Sequence, residues 1–168
     1  ADTIHAFCWE LIQPFQVILR SIIVDLSEKW RERISDISIS NHQIKYDLGY
    51  SKLTDSEIFL HHDDVIKCMS KILQYPKFQK YIKSKFPIIF IDEYQDTDKD
   101  LAVNLINYLI ENDSGILVGF FGDHWQKIYG KNACGLVSSS NNKIHEINKN
   151  ANFRSDKNIV MCLNKIRA

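Results

Sequence analysis

The chain has 168 residues, enough for one compact domain with a real core or one domain carrying a small insertion, but too few for two independent domains. Lysine plus arginine balances aspartate plus glutamate at 21 each, which excludes bulk basic charge as a means of binding nucleic acid and confines any such contact to local sites. With 45% hydrophobic and 25% charged residues and few Gly or Pro, the composition is that of a folded globular protein and excludes disorder.

From His5 to about Glu28, apolar residues recur at helical spacing (Phe7, Leu11, Phe15, Ile18, Ile22, Leu26), which predicts a long amphipathic helix kinked near Pro14. Cys8 and Trp9 on this helix read as core. Between Ile34 and Tyr50 the pattern shifts toward period two, with Ile37 and Ile39, then Ile44, Tyr46 and Leu48, separated by the polar Ser40-Asn41-His42. That spacing suggests a short hairpin. Thr54, with Glu57 three residues on, has the form of a helix cap, and the stretch to about Tyr75 reads as helical. Pro76 opens another helix to about Ser84, where Lys77, Lys80, Lys83 and Lys85 interleave with Phe78 and Tyr81. The lysines fit a solvated face, or a stripe that touches a phosphate backbone.

Phe86-Pro87-Ile88-Ile89-Phe90-Ile91 is a short, continuously apolar, β-branched run, of the kind found in parallel strands covered on both faces. It ends abruptly in Asp92-Glu93. Helical spacing returns from Leu101 to Ile110 and stops at Gly115; a second apolar run, Ile116 to Phe121, then leads into Gly122-Asp123. Strand, helix, strand is a βαβ unit. A third strand is expected near Ile144 to Ile147, followed by Asn152-Phe153-Arg154-Ser155 and a helix to the end.

Ligands of open α/β sheets sit beyond the carboxyl ends of the strands, which is where Asp92 and Glu93 fall. An aspartate at a strand tip can hold Mg²⁺ through hard oxygen ligation, and an adjacent glutamate can orient or deprotonate the water that attacks a γ-phosphate. An acidic pair in that place is also a common helix cap. The longer pattern separates the two readings. Asp92-Glu93-Tyr94-Gln95-Asp96-Thr97 resembles the Walker B motif "DExQD" of UvrD/Rep-like superfamily 1 (SF1A) DNA helicases. Gly122-Asp123-His124-Trp125-Gln126-Lys127-Ile128-Tyr129-Gly130 resembles that family's motif III, "GDxxQSIYG", and Asn152-Phe153-Arg154-Ser155 its "NYRS". The order of the three is the family's own. Thr3-Ile4-His5-Ala6-Phe7 is similar to the "TFHSF" element, and Leu60 to Ile66 to a helical "hDDli" segment upstream of Walker B.

The resemblance covers essentially the whole chain and implies a partial RecA-like α/β fold, a parallel sheet with flanking helices. Residues 1–29 and 86–168 would form motor domain 1A without its Walker A part, and residues 30–85 a mainly helical, 1B-like insertion. It implies ATP and Mg²⁺ as cofactors, with Asp92 as the metal ligand, Glu93 as the base and Gln126 contacting the γ-phosphate and attacking water. Arg154 would reach the γ-phosphate, Phe153 would stack on adenine in place of the usual Tyr, and Asp123 would belong to the nucleotide pocket. Thr3, His5, Tyr129 and Lys131 would lie along the DNA. The implied activity is ATP hydrolysis coupled to movement on single-stranded DNA and duplex unwinding, in repair, recombination or defence. A second motor domain of the same protein is the implied partner, with single-stranded and duplex DNA.

Two departures stand out. Lys131 occupies the position at which the family commonly stacks an aromatic on a DNA base, and Trp125 stands where a small or acidic residue is usual, either as a substitute stacking face or as packing. No GxxxxGK[ST] phosphate loop occurs anywhere. The opening Ala1-Asp2-Thr3 has neither an initiator Met nor a signal peptide, so an excised, inactive piece of a longer protein is the expectation. Alternatives of other kinds are a helicase-like ATPase subunit or switch of a nuclease complex, and a non-catalytic interaction module. Scattered Cys8, Cys68, Cys134 and Cys162 fit thiols in a reducing cytoplasm, and no run approaches the roughly 20 apolar residues of a membrane span. His61-His62-Asp63-Asp64 has metal-ligand residue types, but neighbours on a helix point apart and cannot meet one ion.

Overall fold

A computed structural model of the chain describes residues 2–128, 130, 132–135, 137, 143–149 and 154–167. Its first two helices, α1 (Ile4–Ile12) and α2 (Gln16–Val24), divide the long helix expected from periodicity at Pro14, where a kink was expected. They meet at 112°, because Pro14 has no N–H to continue the ladder. Both helices bury one face, Cys8, Leu11 and Ile12 on α1 and Leu19, Ile22 and Ile23 on α2. A third helix, α3 (Glu28–Ile34), starts at Ser27, whose hydroxyl accepts from the N–H of Trp30, and buries Trp30 and Ile34.

The next segment departs from the sequence reading in two ways. β1 (Gln43–Tyr46) does not fold back on its own neighbour but pairs in parallel with β3 (Glu57–Leu60), placing Ile44 opposite Ile58. The hairpin lies one segment later, between β2 (Lys52–Leu53) and β3. Thr54 and Glu57, expected to cap a helix, close that turn instead: the Thr54 N–H donates to the Glu57 carbonyl at 2.9 Å, and the Glu57 N–H to Thr54 Oγ1 at 3.1 Å. Residues 30–85 thus hold a three-stranded sheet, in the order β1-β3-β2, among their helices.

The chain returns to helix at α4 (His62–Ile72), whose buried Asp64 accepts from the N–H of His61 at 3.1 Å and the hydroxyl of Ser51 at 2.6 Å. Pro76 opens α5 (Pro76–Lys85), as its fixed φ and missing N–H suit the first helical position. Phe78 and Ile82 bury its inner face, and the Lys85 ammonium lies 5.3 Å above the Tyr81 ring.

β4 (Ile88–Ile91) and β5 (Leu117–Phe120) pair in parallel and in level register, Ile88 with Leu117 through Ile91 with Phe120. They are joined by α6 (Lys99–Leu105), which widens into a π-helical turn over Ile106–Glu111. Leu101, Ala102, Leu105, Ile106 and Leu109 point to the core. Gly115, at φ 75°, makes the left-handed turn into β5. The strand, helix, strand unit expected from the sequence is present. Coverage on both faces is not: Ile89 is buried, whereas Ile88, Phe90 and Leu117 are more than half exposed. No strand forms over residues 143–149, and α7 (Lys157–Arg167) follows as expected. One buried cluster runs from Cys8 through α4 to Ile89 and Ile116, so the sheet end of the molecule rests on the same core as the helices. Among the described residues no single helix is long and apolar enough to cross a membrane.

Candidate nucleotide site

The level register of β4 and β5 brings two polar segments out at one height, Asp92-Glu93 from the first strand and Gly122-Asp123 from the second. Asp92 is exposed, and its Oδ1 accepts the N–H of Glu93 at 3.0 Å. Glu93 adopts the left-handed conformation (φ 48°, ψ 43°), which costs a non-glycine residue on the order of 1–3 kcal/mol and persists only where surrounding contacts enforce it. Those contacts are present. On either side of Glu93, the Phe121 N–H donates to the Ile91 carbonyl at 2.8 Å and the Tyr94 N–H to the Phe121 carbonyl at 3.0 Å.

Between the two strand ends lies Gln95, only 1% exposed. Its amide nitrogen donates to Glu93 Oε2 at 2.7 Å and its amide oxygen accepts the N–H of Asp123 at 3.1 Å. The chemistry fixes which way the amide points, since a carboxylate only accepts and a backbone N–H only donates. Asp123 continues the chain of bonds: Oδ1 accepts the Trp125 N–H at 3.0 Å, and Oδ2 accepts the side-chain amide of Gln126 at 3.1 Å. Glu93, Gln95, Asp123 and Gln126 are therefore linked in series across two adjacent strands. Gly122 makes room for this, because a Cβ there would stand 2.1 Å from Gln95 Oε1.

Outside this series the two segments remain knitted together. The Ile128 N–H donates to Asp96 Oδ1 at 3.1 Å, the Cys134 N–H to the Thr97 carbonyl at 2.8 Å, and the Lys99 N–H to the Asn132 carbonyl at 2.8 Å. Burial raises the Tyr94 hydroxyl above its ordinary pKa, with the Cys134 thiol adding to the effect, so Tyr94 is a neutral wall of the site. Trp125 is 60% exposed and does not pack in the core.

A model of the UvrD/REP helicase N-terminal domain matches residues 38–134, which contain both strand ends and the whole hydrogen-bonded series. The chain belongs to the UvrD/Rep helicase family. Membership places it among proteins that use nucleotide and metal and bind DNA. It is 31% identical over 158 residues to the Gabija protein GajB of Bacillus cereus strain HuB5-5, covering 91% of this chain and 23% of that protein. To the Gabija protein GajB of strain VD045 it is 42% identical over 84 residues, 45% of this chain and 16% of that protein. The chain thus spans less than a quarter of the length of these relatives. No solved structure matches it.

Against the family motifs, the structure groups Asp92, Glu93, Asp123 and Gln126 at one place. Arg154 is exposed on the approach to α7. Phe153, Tyr129 and Lys131 lie outside the described residues. Thr3 caps α1, its hydroxyl accepting the Ala6 N–H at 3.3 Å, and His5 packs edge-on against His62 of α4 at 4.7 Å. Neither makes a hydrogen bond or ring contact with residues 92–126. Burial, then the neighbouring His62, lowers the His5 pKa, so at neutral pH its ring is uncharged. Mg²⁺ takes one or two protein carboxylates and completes its shell with waters and phosphate oxygens, and an exposed carboxylate at a strand tip suits that role. Among the described residues no three metal-ligating side chains converge. Gln95 carried no role in the sequence reading; the signal was its place in the Asp92 to Thr97 run, four residues after the end of β4.

Proposed function

We propose that this chain is the Walker B and motif III part of an ATP-dependent DNA helicase that couples Mg-ATP hydrolysis to movement along single-stranded DNA and duplex unwinding. The observation that carries this reading is the series Glu93–Gln95–Asp123–Gln126 at the ends of two parallel strands, where open α/β sheets bind their ligands. Glu93 presents one carboxylate oxygen to Gln95, which leaves the other to accept a proton from the water that attacks the γ-phosphate. Gln126 senses that phosphate, and Arg154 and Phe153 complete the pocket from the far end of the segment. Asp92 holds Mg²⁺, which supplies charge neutralisation on the phosphates when bound. Residues 1–29 and 86–168 form part of a RecA-like domain 1A, and residues 30–85 a 1B-like insertion. Thr3, His5, Tyr129 and Lys131 are the residues we assign to DNA contact. The phosphate loop and the second motor domain come from elsewhere in the whole protein, so this chain by itself does not turn over ATP.

The test is Glu93→Gln in the full-length protein. DNA-stimulated ATPase should fall by at least 10²-fold while ATP binding is retained. Wild-type turnover in that variant would remove Glu93 as the base. Strand displacement on substrates with 3′ and 5′ tails then separates an unwinding motor from an ATPase that does not unwind.

A further inference from the structure

Gln95 is buried as deeply as the aliphatic core, yet it is polar, and both ends of its amide are committed. A residue that merely filled this space would be apolar, since a buried amide must be fully hydrogen-bonded just to offset its desolvation. Its two partners are a carboxylate and the backbone N–H of the loop after β5, 28 residues further along the chain. An amide is a rigid plane, so its oxygen and nitrogen move together. A displacement of Asp123, whose carboxylate holds Gln126, therefore moves the donor that orients Glu93.

We infer that Gln95 is the positioning residue for Glu93 and makes the loop after β5 a regulator of that carboxylate. With Asp123 and Gln126 drawn in, Gln95 holds Glu93 Oε2 and aims the free oxygen into the site; with the loop displaced, Glu93 loses its only side-chain donor among the described residues and swings out of line. This inference rests on the reading of Glu93 as the base. The tight fit at Gly122 and the left-handed backbone of Glu93 both serve it: the first lets the amide reach the loop, and the second places the carboxylate where the amide can bind it.

The experiment uses the full-length protein carrying Gln95→Leu, Gln95→Glu, Glu93→Gln, and Gln95→Leu combined with Glu93→Gln, with single-turnover and steady-state ATP hydrolysis on single-stranded DNA. Gln95→Leu removes both bonds; Gln95→Glu keeps the shape but replaces the neutral amide donor with a second carboxyl, which repels Glu93 when ionised and ties up its oxygen in a shared proton when not. Each should lower kcat by about 10²-fold, the usual consequence of a misplaced catalytic group, with KM for ATP within about twofold of wild type. Adding Gln95→Leu to Glu93→Gln should cost nothing further. Should Gln95→Leu fail to fold, Gln95→Glu decides the matter on the same split of kcat against KM. Wild-type kcat in Gln95→Glu, or an additional loss in the double variant equal to that of Gln95→Leu alone, overturns the inference. Undiminished turnover in Glu93→Gln overturns the underlying reading instead, whatever Gln95 does.

Discussion

Replacing Gly122 with alanine tests the strand-end architecture without touching any group that reacts. The new methyl would stand 2.1 Å from Gln95 Oε1, 3.0 Å from Tyr94 Cδ1 and 3.1 Å from the Tyr94 amide nitrogen. Tyr94 cannot yield, because its N–H is bonded to the Phe121 carbonyl. Gln95 must then retreat by roughly 1 Å to reach van der Waals contact. That movement stretches the Asp123 bond from 3.1 Å beyond hydrogen-bonding range and pulls the amide nitrogen from Glu93. One neutral bond at about 1 kcal/mol and one charge-assisted bond at about 1.5–3 kcal/mol are lost, for a total of roughly 2–4 kcal/mol. Thermal unfolding of the full-length protein should show the transition of this domain lowered by several °C. DNA-stimulated ATPase should fall with it. A Gly122→Ala protein that melts and turns over like wild type would mean that Gln95 does not occupy the space between the strands.

Three further expectations concern the frame around the site. Asp64→Ala removes the acceptor for the His61 N–H and the Ser51 hydroxyl at the start of α4, and should lower the unfolding free energy by about 1–3 kcal/mol in denaturant titration; a change below about 0.5 kcal/mol would deny the cap its role. In the native protein a thiol reagent should label exposed Cys162 at once and reach Cys8 and Cys68 only on unfolding, since burial pushes the Cys8 thiol up to about 12 and raises Cys68 as well; early labelling of either would place it outside the core. The sign of the linkage follows from the same burial. The unfolded chain ionises its thiols from its ordinary 9.0 upward while the folded chain does not, so stability present below 9 should drain away as the pH climbs toward 12.

What the sequence could reveal depended on how local the cause was. β4 and β5 were legible because short apolar runs ending in Asp-Glu and Gly-Asp have few other solutions, and the break between α1 and α2 because Pro14 acts on its own neighbours. β1 was misread as half of a local hairpin because its partner, β3, comes after an intervening strand, and nothing near Ile44 announces Ile58. Thr54 and Glu57 were recognised as mutual partners, but the same spacing that caps a helix also closes a β-turn, and the alternation of buried and half-buried residues along β3 decided for the turn. Within the site, each motif was visible as a string of letters. The bond that joins them was not, because it depends on the level pairing of Ile91 with Phe120 and on the missing side chain of Gly122.

The π turn that closes α6 bears on how the length of this crossover can vary. Such a turn accommodates one residue more than an α-helical turn, so residues 106–111 hold a single surplus residue between two strands whose ends must stay level. A one-residue deletion there would restore ordinary helix at the expense of one register of side chains, whereas the same deletion within β4 or β5 would turn the strand residues beyond it to the opposite face. Gaps in alignments with relatives should therefore gather in the π turn, leaving the spacing from each strand to its acidic residue unchanged.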